Sequence, residues 1–347
     1  MRLSICIPTY NRAEFLSATL DSIVAQWTEG LEITIADNAS TDATPAIVEA
    51  YRQRLGPAAI RYARSDTNRG ADANYLKAVE LATGDYCWIL GSDDPLVPGA
   101  IRHLLAVLRD ETPTLVLFNR LLCNKALAPI REDRFFELGQ ARSRTFAFER
   151  PGVLRDYLRE ARSLCAAFSY LSSMAFRKSA WDAATEHQEF IGGAYVHAYK
   201  LLTACARGAR LTYLNEALVY CRLGNDSFRD QGLARRVLLD LEGYTLLAER
   251  CLAGRHSAEG RALLAILRHE YSLARIMRYQ KVLGQDPVWP TILELLAERA
   301  GYARWMLGAA TLLGRSRWLV DCSFRWRDHR QAQLGRREAQ ARRVKVN

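Results

Sequence analysis

The apolar positions along the chain follow two alternating rhythms. "LSICIP" (Leu3 to Pro8) is a continuous apolar run of the kind a buried strand shows, and "AEFLSATLDSIVAQ" (Ala13 to Gln26) sets Phe15, Leu16, Leu20, Ile23 and Val24 at helical spacing. "LEITIAD" (Leu31 to Asp37) predicts a second strand ending in a carboxylate, and the helix after it tolerates Pro45 in its first turn. The alternation continues through "IRYAR" (Ile60 to Arg64), a helix near Ala73 to Ala82, "YCWILG" (Tyr86 to Gly91), a helix from about Pro98 to Leu108 and "TLVLFN" (Thr114 to Asn119). The pattern predicts an α/β fold, a mostly parallel sheet flanked by helices.

Past Arg120 the rhythm changes. An irregular polar stretch leads to a helix at Val153 to Arg162, the β-leaning "FSYLSSMAFRK", a helix "YVHAYKLLTACA" and two short strands, "RLTYLN" and "LVYCRL". From Gly232 onward the chain reads as successive amphipathic helices. These shifts divide it into a catalytic domain at 1–225, a helical C-terminal extension at 226–314 and a basic tail at 315–347.

Composition narrows the class. Hydrophobic residues make up 49% and charged residues 25% of the 347, as in ordinary globular proteins. The eight cysteines form no CxxC pair and sit mostly in apolar runs, which reads as reduced thiols in a cytoplasmic protein. The N-terminal apolar run is too short for a leader, and "MLGAATLLG" is far below the roughly 20 residues of a spanning helix. Of the formal net charge of +10, the stretch from Arg315 to the end carries +7. Such a tail suits an anionic membrane surface or nucleic acid. No nucleic-acid-binding pattern accompanies it, so no nucleic acid partner is expected.

In open parallel sheets the ligand lies beyond the carboxyl ends of the strands. Those ends carry Thr9, Tyr10, Asn11 and Arg12, then Asp37 and Asn38, then Ser92, Asp93 and Asp94. There is no GxGxxG after the first strand and no GxxxxGK[ST], which removes most of the case for hydride transfer or ATP hydrolysis. "CWILGSDDPL" runs an apolar strand straight into two carboxylates. Asp93-Asp94-Pro95 is either a turn with a helix-capping aspartate or a seat for a hard divalent cation that neutralises a diphosphate. Asp37 on the same edge favours the second, since a carboxylate there can accept a hydrogen bond from a nucleobase.

These residues resemble the family 2 glycosyltransferases of GT-A fold. "SICIPTYNRAEFLSATLDSIVAQ" is similar to that family's first strand and helix, "LEITIADNASTDAT" to its base-binding strand and turn, and "NRGADANYLKAVELATGDYCWILGSDDPLVPGAI" to the approach to its DxD metal motif. "RGADAN" and "GSDD" resemble a branch that includes abequosyltransferase-like enzymes of O-antigen assembly. The resemblance implies a nucleotide pocket at Pro8, Thr9, Asn11 and Asp37, and Mg²⁺ or Mn²⁺ held by Asp93 with Asp94. It also implies a UDP-, CDP-, dTDP- or GDP-sugar donor, a deoxyhexose in that branch, and a saccharide or polyprenyl-diphosphate-linked acceptor. Inversion of configuration is the expected outcome.

Two departures stand out. Gly91 replaces the first aspartate of the metal motif, and Val196 and His197 stand where an acidic pair normally supplies the base, counting back from Gly208. His197 is the candidate base, because an imidazole accepts a hydroxyl proton near neutral pH. Glu186 and Glu189 are the fallback, Asp94 a further catalytic candidate, and Asp72 and Asn74 candidate donor contacts. Arg12, Arg69 and Arg222 are available to a diphosphate. The stretch from Ala303 to Arg330, with Trp305, Trp318 and Trp326 among arginines, is either a helix in a membrane interface, peripheral on the inner face of the plasma membrane, or a helix packed on the catalytic domain before a loose tail. The rival class is a nucleotide-sugar binder without turnover, motivated by the missing aspartate and missing acidic base.

Overall fold

The computed structural model describes residues 1–186, 188–225 and 232–315. The part of the tail beyond Arg315, with Trp318 and Trp326, lies outside the described residues. The first half alternates as the sequence predicts: β1 (Leu3–Thr9), α1 (Ala13–Val24), β2 (Leu31–Asp37), α2 (Thr44–Leu55), β3 (Ile60–Arg64), α3 (Ala71–Glu80), β4 (Tyr86–Ile89) and α4 (Ala100–Asp110). The second half holds β5 (Leu115–Cys123), β6 (Pro129–Asp133), β7 (Ser143–Ala147), α5 (Val153–Glu160), β8 (Met174–Arg177), α6 (Lys178–Asp182), α7 (Val196–Ala206) and β9 (Arg210–Arg222). Among the described residues six helices follow: α8 (Gly232–Cys251), α9 (Ala258–Ala265), α10 (Leu267–Glu270), α11 (Leu273–Leu283), α12 (Trp289–Arg299) and α13 (Arg304–Gly314).

One sheet runs in the order β3-β2-β1-β4-β8-β5-β9-β7, with β6 on β5. The strands from β3 to β4 are all parallel, in a register that sets Thr9 opposite Asp37. Beyond β4 the sheet is mixed, because β8 inserts antiparallel between β4 and β5 while β5 and β9 run parallel. β1 shows why a continuous apolar run was needed. Leu3, Ile5 and Ile7 face a core with α1 and α4, while Cys6, on the other face, joins a second core with α3 and α7. The C-terminal helices share that second core through Val237, Tyr244, Leu263, Ile276, Ile292 and Leu307.

Two expectations change. "RLTYLN" and "LVYCRL" are one 13-residue strand, irregular in pairing between Leu214 and Val219. That irregularity turns the strand so that Tyr220 N–H bonds Pro95 C=O and Val97 N–H bonds Leu218 C=O, docking β9 on the chain that follows Asp94. The "FSYLSS" part of the β-leaning run follows a tight helical turn at Leu164–Ala167 and ends in another at Leu171–Ser173, and only Met174–Arg177 of the run is strand. Polar side chains from those turns point at the strand ends.

Candidate active site

A cavity of about 940 Å³ opens at the carboxyl ends of β1 and β4. Its floor is Pro8 to Arg12 and Gly91 to Asp94. One wall comes from Asn38, Asn68 and Asn74, and the other from Leu164 to Leu171, Ala194 to His197 and the helices α8 and α10.

Asp93 and Asp94 sit side by side on the floor. Asp93 accepts a hydrogen bond from Asn225 Nδ2, and Arg222, at the end of β9, donates to its backbone carbonyl at 3.3 Å. Asp94 is buried and accepts from Ser172 Oγ at 2.6 Å. Burial pushes the Asp93 carboxyl above its usual range, against the pull of Arg12 and Asn225. Burial and then the Asp93 charge push Asp94 up to about 8, with Ser172 acting in the opposite direction. Gly91 has a reason of its own. A Cβ there would stand 2.6 Å from Asp94 Oδ2 and 3.2 Å from Asp93 Oδ1, so the Asp94 carboxylate occupies the space a side chain at 91 would need.

The other residues expected at the site divide into those that reach the cavity and those that do not. Thr9, Tyr10, Asn11, Arg12, Asn38, Asn74 and Ser92 line it. The Thr9 hydroxyl is buried and has no hydrogen-bond partner. Asn11 adopts a left-handed φ of 50° and its Oδ1 accepts from Thr41 N–H at 2.8 Å, tying the β1 and β2 loops together. Asn38 is clamped between Asn68, Gly70 and Arg69, and Asn74 Nδ2 donates to Thr9 C=O at 3.2 Å.

Asp37, expected against a nucleobase, does not line the cavity. It is fully buried, with Oδ1 taking Ser40 N–H at 2.8 Å and Oδ2 taking the Tyr62 hydroxyl at 2.8 Å. Asn38, one residue on, reaches the cavity instead. Asp72, expected near the donor, accepts the backbone N–H groups of Gly192, Ala194 and Val196 at 2.8, 2.9 and 3.2 Å. It thereby holds the left-handed turn at Gly192 and Ala194 that leads into α7. Glu189, the fallback base, is paired with Arg250 at 2.6 Å on the surface, away from the cavity.

His197 does reach the cavity, from the first turn of α7. Its Nε2 lies 2.9 Å from Phe168 C=O, so that nitrogen carries the proton, and the buried Nδ1 has no partner. Burial lowers the imidazole pKa to about 4, partly offset by the Phe168 bond, and the ring is neutral at pH 7. A folded-state value below that of the unfolded chain means that the stability is present above about pH 6.5 and is lost as pH falls towards 4. Wild type is therefore expected to lose about 2 kcal/mol more than His197→Gln between pH 7 and pH 5. Urea unfolding of both proteins at the two pH values checks this, and parallel losses would contradict it.

Several residues in or behind the walls had no clear signal in the sequence. Arg120 stacks over Tyr170 at 4.4 Å and pairs with Asp133 at 2.9 Å. Ser172 and Asn225 reach Asp94 and Asp93 from 78 and 132 residues away. Asp240 did carry a signal, an acid inside the apolar run "VLLDLEGYTLL". It is buried and accepts from Tyr195, Tyr271 and Arg236, which ties α8 to the residue preceding α7.

A sheet whose parallel strand ends open on a polar cavity floored by paired carboxylates, and closed by helices beyond it, is the architecture of a GT-A glycosyltransferase. The model of glycosyl transferase family 2 matches residues 4–178. The abequosyltransferase RfbV of Salmonella typhimurium is 38% identical over 251 residues, 72% of this chain and 74% of that protein. A PGL/p-HBAD biosynthesis glycosyltransferase of Mycobacterium bovis is 32% identical over 120 residues, covering 34% of this chain and 46% of that one. Among solved structures, S. aureus TarS 1–349 in complex with UDP-GlcNAc aligns with a TM-score of 0.61 at 16% identity, over 90% of both chains. The mannosyltransferase PcManGT of Pyrobaculum calidifontis, in complex with GDP-Man and Mn²⁺, aligns with a TM-score of 0.51 at 16% identity, over 90% of this chain and 86% of that one. The chain belongs to glycosyl transferase family 2, in its O-antigen branch.

Proposed function

We propose that the protein transfers a deoxyhexose from a nucleotide-sugar to a saccharide or lipid-linked acceptor in O-antigen assembly, with a divalent cation at Asp93 and Asp94. The observation that carries the reading is the side-by-side pair of carboxylates on the cavity floor, Asp93 half-buried and Asp94 buried, both pushed above their ordinary pKa range. Two adjacent carboxylates in a water-poor site are costly without a counter-ion. Oxygen donors suit Mg²⁺ or Mn²⁺, which bind through one or two carboxylates and complete their shell with water and substrate phosphates. The described residues include no cluster of three or more His, Cys, Asp or Glu ligands, which fits a site completed by the donor. Bound there, the cation supplies countercharge to the leaving diphosphate. The TarS and PcManGT complexes, with UDP-GlcNAc and with GDP-Man and Mn²⁺, support a nucleotide-sugar and the metal, and the RfbV relative supports a deoxyhexose.

The chain's own residues bind and orient. Thr9, Asn38 and Asn74 face the nucleoside, with the unpartnered Thr9 hydroxyl free to bond it. Arg12 and Arg222 stand beside Asp93 for the diphosphate. His197 presents an unprotonated Nδ1 to an acceptor hydroxyl, orienting it and taking its proton as it attacks the anomeric carbon. In this reading residues 1–225 form the catalytic unit, and α8 and α10 close the acceptor side. No helix of the described residues is long and apolar enough to cross a membrane, so a lipid-linked acceptor would be met at an anionic membrane surface.

The test is hydrolysis of a panel of UDP-, GDP-, CDP- and dTDP-sugars with Mg²⁺ or Mn²⁺, since water replaces an acceptor inefficiently. Release of one nucleoside diphosphate, abolished by chelator, is the expected result. Equal release with and without chelator would overturn the metal assignment.

A further inference from the structure

We infer that the C-terminal helices carry a second anion site, a pocket for the phosphate-bearing head group of a membrane lipid. A pocket of about 270 Å³ opens between α9, α10 and the end of α12. It is lined by Arg255, His256, Arg261, Arg268, Glu298 and Arg299, four guanidinium groups against one carboxylate. None of these residues lines the catalytic cavity.

The cations are held in place by neighbours that do not neutralise them all. Arg268 donates to the carbonyls of Ala300 and Gly301, and Arg261 to that of His256. Arg255 donates to His256 Nε2 at 3.1 Å and lies 3.5 Å from Glu249 and 3.9 Å from Glu298. Each planar fork has five N–H donors, so carbonyl bonds fix its orientation and leave donors over. Arg299 adds the most direct sign of a missing ligand: its Nη1 is buried and has no hydrogen-bond partner, with Glu298 3.6 Å away. A buried donor left unmet is unfavourable until an acceptor arrives, and phosphate oxygens match guanidinium forks.

What lies beside the pocket selects a lipid over a free anion. Gly301 forms part of its wall, and α13 begins three residues later. One face of α13, with Leu307, Ala310 and Gly314, is buried on the other helices, and Gly314 sits against Met277 and Gln280 of α11. The opposite face presents Trp305 and Leu312, 76% and 67% exposed, with Leu313, and α11 adds Val282 at 69%. Trp305 follows Gly301 of the pocket wall by four residues in the chain. An exposed apolar ridge with a tryptophan at one end and a cationic pocket beside it matches the boundary between head groups and acyl chains. From Arg315 the sequence continues with net charge +7, the sign that an anionic surface attracts. The inference deepens the membrane side of the proposed function but needs no donor or turnover, so the two readings fail separately.

The test is co-sedimentation of the full chain with vesicles of phosphatidylglycerol and phosphatidylcholine, or of phosphatidylcholine alone. Wild type is expected to bind only the anionic vesicles, and pyrophosphate to compete. The double variant Arg261→Gln/Arg299→Gln should bind about tenfold more weakly, at unchanged donor hydrolysis. Trp305→Ala, at an exposed position, should weaken binding as well, and keeps the test readable if the arginine changes unsettle the helices. Wild-type binding by both variants would assign the affinity to the tail and overturn the inference. Pyrophosphate binding that needs the two arginines, without any vesicle binding, would overturn the lipid as the ligand.

Discussion

Asp93→Ala is expected to lower donor turnover by about 10³-fold, the scale of losing one preorganised charge stabiliser in a water-excluded site. The loss should fall on kcat, because Thr9, Asn38 and Asn74, which face the nucleoside in the proposed reading, are untouched. Steady-state kinetics with the preferred nucleotide-sugar, together with calorimetric binding of the nucleoside diphosphate with and without Mn²⁺, read both quantities. Wild-type turnover in the variant would remove the metal from the mechanism. A companion substitution separates chemistry from folding. Asp94→Asn keeps the shape that fills the space beside Gly91 but removes a carboxylate whose folded pKa is raised to about 8. A raised value means that the folded state holds a proton the unfolded chain releases above about pH 4, so wild-type stability falls as pH rises towards 8. The melting temperature of Asp94→Asn should therefore exceed that of wild type by a margin that grows from pH 5 to pH 8, while its activity drops. Gained stability with lost activity marks a group retained for function at a structural cost.

Sequence legibility follows the range of the interactions. The four N-terminal strands are readable because a parallel strand covered on both faces must be apolar throughout, and because the helices between them keep their own period. Asp93 and Asp94 are readable because nothing in the packing of β4 asks for them. Asp37 was legible as a strand-end carboxylate but not as one enclosed by Ser40 and Tyr62, since Tyr62 arrives from β3 through sheet pairing. Ser172, Asn225 and the Asp240 cluster join the site across 78, 132 and 45 residues, and no local pattern encodes contacts of that length. β6 and β7 escaped because they pair at the margins of the sheet with mostly exposed side chains and so lack an apolar alternation. Gly91 was read as a lost ligand. In the structure it is also the condition for Asp94 to turn inward, and the change at 91 and the acid at 94 belong together.

The second large effect is expected at His197. His197→Gln keeps a donor for Phe168 C=O, the bond that anchors the ring, and removes the buried, unpartnered Nδ1 that is the proton acceptor in the proposed reading. Loss of a positioned proton acceptor typically costs about 10²–10⁴-fold in rate, and kcat for transfer to the saccharide acceptor should fall on that scale while the donor KM stays near wild type. The pH profile distinguishes this role from a packing role. An imidazole buried with its pKa lowered to about 4 is already unprotonated across the neutral range, so kcat/KM should stay flat from pH 7 down to about 5 and bend only as pH nears 4. A bend at the ordinary histidine value near 6.5 would mean that the titrating base is another group, in water. Asp72 gives the matching structural control. It holds Gly192, Ala194 and Val196 but does not line the cavity, so Asp72→Asn should displace His197 without touching substrate. It should therefore reduce kcat less than His197→Gln does, and the double variant should fall no further than His197→Gln alone, because both changes remove the same Nδ1 from the same acceptor.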